Sequence, residues 1–299
     1  MNDKYIHKEG IVYLNQYHII FCPKYRRKVL TGDIEKDLRQ IFDEVAKEKD
    51  VEIKTKHKIS ICTTSMNRLS DIEQTYIKNI EDNLAYGNVE FVLLNYNSTD
   101  DLDKWARENL QKYIDMGIVN YFHTTEPEFY SMTHTRNIAF KCATGDIVNN
   151  IDGDNFTHKG FAEHINLLAN KFPEKTVFLK TRQKNRGRLG FFKHEFVDIL
   201  GGYNEDLEDY GFDDADILCR AAMLGFTAVK YRARSFFSHT TDHKRHQTGN
   251  YKNADWKYTQ RRNTLISVLS IVSGIYKANR YTHWGKAKLL KNFTEKVEV

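Results

Sequence analysis

Apolar runs and helical periodicities alternate along the middle of the chain. Short apolar runs bounded by polar turn residues predict strands, and apolar residues three or four positions apart predict the helices between them. Because strands that alternate with helices form largely parallel sheets, we predict an α/β fold. The predicted strands cover residues 58–63, 89–98, 118–124, 146–152 and 176–181, and the predicted helices cover residues 70–84, 101–115, 133–143 and 193–200.

The pattern is interrupted near residue 53, where a first strand and helix end and a new strand begins. Tyr17–Cys22 reads as a strand, and apolar residues at helical spacing start near Asp33. We therefore predict a small strand-helix appendage at residues 1–53, followed by the main domain at residues 54–250.

The last part of the chain, residues 251–299, is basic and reads as a C-terminal helical extension. Its most apolar stretch, LISVLSIVSGIY at 265–276, is too short to span a bilayer. Stretches of this length are usually core, so we expect a buried helix; a peripheral membrane contact is the alternative.

Composition limits the compartment and the partners. The chain has 299 residues, 40% of them hydrophobic, and only 3 prolines, so it can bury a core and is not a linker. The four cysteines form no C-x-x-C pair and the N-terminus is polar, which fits a cytoplasmic protein with reduced thiols. The net charge of +5 permits anionic partners without requiring one.

The most informative motif is Asp152-Gly153-Asp154, directly after an apolar stretch. Two carboxylates two positions apart at the end of a strand can face one point, as a divalent cation and a diphosphate require. Asp-Gly-Asp is also ordinary turn chemistry. Ligands of parallel sheets gather at the carboxyl ends of the strands, however, and this motif lies at such an end.

Five motifs occur in a recognisable order: ISICTTSMNR, VLLNYNSTDD, THTRNIAFKCATGDIVNNIDGDN, GGYNEDLEDYGFDDADILCR and FFSHTTDH. Together they resemble a family 2-like glycosyltransferase with the GT-A fold, close to β-1,4-galactosyltransferases and chondroitin-polymerase-type domains. The resemblance implies a Rossmann-like, mostly parallel sheet flanked by helices. It also implies metal-dependent inverting transfer of a hexose or N-acetylhexosamine from a UDP-sugar to a glycan or lipid-linked acceptor. The expected setting is bacterial surface polysaccharide synthesis at the inner face of the membrane. Neither the sugar, the acceptor nor the oligomeric state can be read from the sequence.

The same resemblance implies roles for individual residues. Asp154 and His239 look like ligands of Mn2+ or Mg2+, with Asp152 touching the metal or the ribose. Asp214 is the candidate general base; Asp213 and Tyr210 would contact the acceptor. The alternatives are a structural histidine, with His243 and His246 nearby, and two aspartates that only stabilise a helix start. The implied donor-binding residues are Thr63, Ser65, Arg68, Asn95, Asn97, Asp100, Arg136, Asp152 and Gly153.

One departure from the family pattern and one basic loop each allow two interpretations. Asn95 stands where the family has an Asp that reads the uracil ring, so uridine specificity is open. The basic loop around Arg186 and Arg188 could fold over phosphates, but a solvated loop is the favoured interpretation.

Residues 13–52 resemble a second family, the HUH-type transposases of bacterial insertion sequences. Those enzymes need an H-x-H metal motif and a helical Tyr nucleophile on a complete sheet, and the chain contains no H-x-H. We interpret this segment as a truncated remnant and expect no nucleic-acid partner. The alternatives to an active transferase are therefore a transposase-derived nucleic-acid-binding protein and a non-catalytic sugar-nucleotide binder.

Overall fold

The computed structural model describes most of the chain and divides it into two compact units. The first unit is Met1–Lys54 and the second is Thr55–Val299. The described residues are 6–8, 11–13, 33–49, 54–180, 188–231, 236, 238–240 and 248–299.

The described part of the first unit forms a short hairpin and one helix. Strand β1 (Ile6–Lys8) pairs antiparallel with strand β2 (Ile11–Tyr13). Helix α1 (Asp33–Lys49) begins at the residue where the apolar spacing predicts a helix. The strand predicted at Tyr17–Cys22 lies outside the described residues.

The second unit is built on a mixed sheet that has nine strands within the described residues. The unit also contains a separate short pair formed by β7 and β11. In chain order, the strands of the unit are β3 (Ile59–Ser65), β4 (Val89–Tyr96), β5 (Val119–Thr124), β6 (Ile147–Asn150), β7 (Asn155–Phe156), β8 (Thr176–Lys180), β9 (Gly190–Phe192), β10 (Thr227–Tyr231), β11 (Ser238–His239), β12 (Lys288–Lys291) and β13 (Glu295–Glu298). The sheet order is β10-β8-β9-β6-β3-β4-β5-β12-β13. The central strands β6, β3, β4 and β5 are parallel, and β9 is inserted antiparallel between β6 and β8.

Helices cover both faces of the sheet, as the alternating pattern predicts. They are α2 (Leu69–Asn83), α3 (Leu102–Asp115), α4 (Met132–Cys142), α5 (Phe161–Lys171), α6 (Asp213–Met223) and α7 (Trp256–Val272), with a π-helical turn at Glu195–Leu200. Helices α2, α3 and α5 contribute to one apolar cluster, while α4, α6 and the π-helical turn contribute to the other.

Strand β4 explains why the sheet is sandwiched between two cores. Phe91 and Leu93 belong to the first cluster, whereas Val92 and Leu94 belong to the second. Successive strand residues point to opposite faces, so a continuous apolar run supplies both layers. This three-layer architecture brings the carboxyl ends of β3, β4 and β6 to one edge of the sheet.

The C-terminal segment corrects two sequence predictions. Helix α7 is present, but the residues after it do not continue as helix: β12 pairs antiparallel with β5, which would otherwise end the sheet with unpaired backbone groups. The apolar residues of α7 were expected to be buried, yet Leu265, Leu269 and Val272 are exposed. In the described part of the chain, none of the helices has the length and apolar character needed to cross a bilayer.

Candidate active site

A cleft of about 240 Å³ opens at the carboxyl edge of the parallel strands. It lies where loops following β3 and β6 meet the segment that precedes α6. The lining residues are Thr64, Ser65, Met66, Arg68, Asp71, Tyr130, Met132, Asp152, Gly153, Asp154, Tyr210, Asn250 and Tyr251. The Asp152-Gly153-Asp154 motif is therefore part of a concave surface.

The middle residue of the motif is held closely against α2. A Cβ at Gly153 would lie 2.9 Å from Cδ1 of Ile72, which is too close for an ordinary contact. The carbonyl oxygen of Gly153 also accepts a hydrogen bond of 2.6 Å from the Thr75 hydroxyl. Glycine thus lets the turn approach α2 while the two flanking carboxylates line the cleft.

The short strand after the motif explains how a distant histidine reaches it. Strand β7 pairs with β11, and the register places His239 opposite Asn155. His239 Nδ1 consequently lies 4.0 Å from Asp154 Oδ2. His243 and His246, the neighbouring alternatives, lie outside the described residues.

Arg188 packs beside this histidine and corrects a second expectation. Its side chain is buried, donates to Asn155 Oδ1, and has Nη2 3.3 Å from Nδ1 of His239. The sequence favoured a solvated loop here, and for Arg188 that interpretation was wrong. Arg186 lies outside the described residues. The sequence alone does not distinguish Arg188 from the other basic residues of this run.

Asp154 carries a negative charge that its surroundings disfavour. Burial, followed by repulsion from the Asp152 carboxylate, raises the pKa of Asp154 above its ordinary value, although Arg188 and Arg68 act in the opposite direction. A cation placed against this carboxylate would remove the penalty. The site therefore has the electrostatic character of a cation site before any ligand is considered.

The donor set also fits a divalent ion. Asp154 Oδ2 and His239 Nδ1 lie 4.0 Å apart, so one divalent ion could contact a carboxylate oxygen and an imidazole nitrogen together. Among the described residues, no group of three His, Cys, Asp or Glu side chains forms a metal cage. Ions such as Mg²⁺ are usually held by one or two carboxylates and by substrate phosphates, so two protein ligands are an adequate number.

Arg136 joins the Asp152 side of the cleft to the start of α6. Its guanidinium is 2% exposed, donates to Asp213 Oδ2, and reaches Asp214 Oδ1 at 3.0 Å and Asp152 Oδ1 at 3.5 Å. Burial alone would lower the pKa of Arg136, but the carboxylates of Asp214 and Asp213 raise it well above its ordinary value. This arginine stays charged and holds three acidic groups together.

The two aspartates at the start of α6 do not cap it in the usual way. The residue before the helix is Phe212, at φ +70°, and no side-chain cap bond is made. Asp213 and Asp214 bind Arg136, although the helix dipole still favours their charge. Asp216 is the structural acid of the segment, because it accepts from Arg220 at 2.8 Å and from Ser267 at 2.7 Å.

Some of the predicted donor-side residues lie in the cleft. Ser65 lines it, and its hydroxyl is buried with no hydrogen-bond partner among the described residues. Arg68 also lines it and is held by Asp71, with 2.6 Å between Nε and Oδ2. Thr63 stands just behind this wall and donates to the carbonyl oxygen of Ile151 at 2.9 Å.

Three other predicted donor residues have internal hydrogen-bond partners. Asn95 is fully buried, donates to the Tyr121 hydroxyl and accepts from the Ser98 amide, each at 2.9 Å. Asn97 donates to the carbonyl oxygen of Pro127 at 2.7 Å. Asp100 accepts from the amide of Leu69 at 2.9 Å, so it satisfies an amide at the start of α2. A base contact by Asn95 would require its present bonds to break.

An aromatic wall along the cleft was not predicted. The rings of Tyr96, Tyr130, Tyr251 and Tyr210 follow one another edge to face, with centroid separations of 5.9, 5.6 and 5.9 Å. Burial is the main cause that raises the pKa of Tyr210, so its hydroxyl stays protonated at neutral pH. Only the abundance of tyrosine, 17 residues, hinted at this wall. Asp71 was also missed, because a lone acid in a helix carries no signal.

Comparison with protein families and solved structures agrees with this architecture. The model of the family described as "Glycosyl transferase family 2" matches residues 60–231. A mannosyltransferase, PcManGT from Pyrobaculum calidifontis in complex with GDP-Man and Mn2+, is 17% identical with a TM-score of 0.56, over 80% of this chain and 72% of that one. S. aureus TarS 1-349 in complex with UDP-GlcNAc is 14% identical with a TM-score of 0.53, over 71% of this chain and 66% of that one. At these identities the likeness concerns the fold, which is GT-A.

The front of the chain matches a different family. The model described as "Transposase IS200 like" covers residues 11–61. The ISDra2 transposase TnpA of Deinococcus radiodurans is 39% identical over 46 residues, which are 15% of this chain and 33% of that protein. The match to this relative thus spans about a third of its length.

Proposed function

The chain belongs to glycosyl transferase family 2, and from this premise we propose a metal-dependent, inverting glycosyltransferase. We propose that it moves a hexose or an N-acetylhexosamine from a UDP-sugar to a glycan or a lipid-linked acceptor. Synthesis of a bacterial surface polysaccharide at the cytoplasmic side of the membrane is the setting we propose for this activity.

The observation that carries the proposal is the contact of Arg136 with two acidic groups, Asp152 in the cleft and Asp214 at the start of α6. The guanidinium reaches Asp152 of the D-G-D motif at 3.5 Å and Asp214 at 3.0 Å. An inverting transferase needs a site for the leaving diphosphate and a base for the acceptor within one sugar's reach of each other. A rigid arginine between the two carboxylates supports that spacing.

Asp154 and His239 are the residues that would hold the metal. A bound divalent cation supplies neutralisation of the negative charge that develops on the diphosphate as the glycosidic bond breaks. A mixed carboxylate and imidazole set suits Mn2+ better than a pure oxygen set does. The raised pKa of Asp154 supports this assignment, because its charge has a cost that the cation would offset.

Asp214 is the proposed base, and the other residues orient the reactants. Asp214 takes the proton of the acceptor hydroxyl as that oxygen attacks the anomeric carbon. Arg136 pairs with the carboxylate and fixes its direction. Tyr210 and the neighbouring Tyr251 line the cleft and offer ring surfaces for a sugar.

On the donor side, we assign Arg68 to the diphosphate and Ser65 to the donor. Arg68 is a cation beside Asp154, and Ser65 carries a buried hydroxyl that a ligand could satisfy. PcManGT is in complex with GDP-Man and TarS with UDP-GlcNAc, so the nucleotide of the donor must be tested. With the Asn95 amide engaged internally, UDP specificity would come from other groups of the cleft.

The first test is calorimetric titration of UDP into the full chain with Mn2+ and then with EDTA, in parallel with GDP. We expect binding that needs Mn2+ and that is lost in Asp154→Ala. Binding of equal strength with EDTA would overturn the metal assignment, and binding of GDP alone would overturn the UDP assignment.

The second test separates a transferase from a non-catalytic binder. Asp214→Asn should keep Mn2+-dependent UDP affinity while the transfer rate falls by about 10²- to 10⁴-fold, because only the proton acceptor is removed. The control is Asp209→Asn, which lies on the same segment but is not one of the three acids that Arg136 holds together. Transfer at the normal rate by Asp214→Asn would exclude this residue as the base.

A further inference from the structure

Helix α7 is packed with its polar side inward. The residues buried against the protein are Thr259, Asn263 and Ser267, which recur every four positions on one side. Each is hydrogen-bonded to the body of the second unit, for example Ser267 to Asp216 at 2.7 Å. The apolar residues of the helix are left on the opposite side, which reverses the usual amphipathic arrangement.

The exposed side is a continuous apolar stripe, which we call the outer stripe of α7: Tyr258, Leu265, Val268, Leu269 and Val272. Leu265, Leu269 and Val272 are 64%, 63% and 73% exposed. Their spacing of three and four positions aligns them over a helix of 17 residues, about 25 Å long. Isolated exposed apolar residues are normal, but an aligned set of this length indicates a surface that is covered by a partner.

The charge around the outer stripe is of one sign. From Trp256 to Lys291 the chain contains eight Lys and Arg residues and no Asp or Glu. Arg261 lies on the stripe itself, and Lys257 and Arg280 are exposed nearby. Arg262 is paired with Glu208 at 3.2 Å. The partner of this face must therefore be apolar and negatively charged at once.

We propose that the outer stripe of α7 docks on an anionic lipid surface, with the helix lying in the plane of the membrane interface. The apolar residues would enter the acyl boundary, and the flanking cations would contact the acidic headgroups. A second copy of the chain is a poorer occupant, because two such faces would bring the exposed cations of each copy, Lys257, Arg261 and Arg280, towards one another.

The docking surface is joined directly to the acceptor side of the cleft. Thr259 donates to the carbonyl oxygen of Tyr210, and Asn263 donates to the carbonyl oxygens of Glu208 and Gly211, each at 2.9 Å. A bilayer bound to the outer stripe would thus be separated from the segment that carries Tyr210 only by the thickness of α7, about 10 Å. This arrangement identifies the acceptor as one that is linked to a membrane lipid, and that identification rests on the proposed function. Docking of α7 on the membrane does not depend on sugar transfer.

Vesicle co-sedimentation of the full chain tests the proposal. The vesicles are pure phosphatidylcholine or equal parts phosphatidylcholine and phosphatidylglycerol. We expect binding to the anionic vesicles alone, weakened at least about tenfold in the double variant Leu265→Gln, Leu269→Gln. Arg261→Gln should weaken binding by about fivefold, and added salt should weaken it further. The matched control is Met116→Gln, Leu167→Gln, which removes two exposed apolar residues elsewhere and should bind like the unmodified chain.

Other results would overturn the proposal. Equal binding to both kinds of vesicle, or unchanged binding of the Leu265, Leu269 double variant, would exclude this surface. Absence of vesicle binding, together with a doubling of mass in light scattering that the same variant abolishes, would identify a second copy as the occupant. Titration of UDP with Mn2+ into each variant keeps the two proposals apart, because the donor site should be intact whether or not lipid binds.

Discussion

Each end of the parallel strands holds a partly or fully buried carboxylate, and the surroundings shift the pKa values of the two groups in opposite directions. Glu90 lies at the amino end of β4, and Asp154 lies in the cleft at the carboxyl edge. Burial favours the neutral form of both groups. Only at Glu90 do the neighbouring donors outweigh that effect.

Glu90 is surrounded by donors. Its carboxylate is 1% exposed and accepts from the Ser60 hydroxyl at 2.6 Å, from the Thr144 hydroxyl at 2.6 Å and from the Lys58 ammonium at 3.0 Å. Burial alone would raise the pKa of Glu90, but these bonds lower it below its ordinary value. The group is a structural clamp that joins the starts of β3, β4 and β6.

Among the described residues, Asp154 has no comparable set of donors. Asn155 donates to its Oδ1 at 2.5 Å, while Asp152 repels it and burial raises its pKa. Two buried acids in one sheet can therefore be told apart by whether the protein itself compensates the charge. The compensated group contributes to stability, and the uncompensated group is the candidate for a ligand.

The largest change in stability is expected from Glu90→Gln. The amide cannot accept all of the donated bonds and leaves Lys58 without its partner, so we expect a loss of about 3 kcal/mol in the free energy of unfolding. Urea denaturation measures it, with Glu128→Gln at an exposed position as the control, expected within about 0.5 kcal/mol of the unmodified chain. A loss no greater than that of the control would contradict the clamp.

The stabilisation by Glu90 should depend on pH in a defined direction. Because the folded-state pKa lies below the ordinary value of 4.5, the contribution is complete above that value and is lost as the pH falls through the folded-state pKa. The stability difference between the unmodified chain and Glu90→Gln should therefore shrink under acid conditions. Urea denaturation at a series of pH values measures it, and a difference that grows with acid would refute the assignment.

Two glycines allow the packing at the two ends of the parallel strands to be compared. A Cβ at Gly145 would lie 2.7 Å from the backbone oxygen of Lys58, whereas one at Gly153 would meet only the tip of Ile72 at 2.9 Å. Backbone yields less than a side-chain tip, so Gly145→Ala should cost about 2 kcal/mol and Gly153→Ala less than about 1 kcal/mol. Thermal unfolding compares them; the reverse ranking would show that the D-G-D turn is the more rigid end.

The smallest change in stability is expected from Asp154→Asn. Burial and Asp152 penalise the charge in the folded state, so its removal should leave the melting temperature unchanged or slightly raised without metal. Mn2+-dependent UDP affinity should nevertheless fall by on the order of a hundredfold. Clear destabilisation of Asp154→Asn in EDTA would mean that this carboxylate is structural, like Glu90.

Much of the fold was accessible from the amino-acid order because its signals are local. The strands β3, β4, β5, β6 and β8 and the helices α2, α3 and α4 follow from periodicity. The carboxyl-edge location of Asp152-Gly153-Asp154 follows from its position after a strand. The first unit was recognised by resemblance and is matched to transposases over residues 11–61. The general-base, metal and donor roles stay predictions.

What the sequence determined by itself is what depends on neighbours along the chain: the alternating elements, the GT-A likeness and the acid motif. The tertiary structure decided what depends on distant residues: that β7 and β11 bring His239 to Asp154, that Arg136 joins Asp152 to Asp214, that Asn95 has its amide occupied, and that α7 packs with its polar side inward. Periodicity reports that a helix has an apolar side. Only the partners available for Thr259, Asn263 and Ser267 decide which side turns inward, because a buried polar group stays buried only where its hydrogen bonds are met.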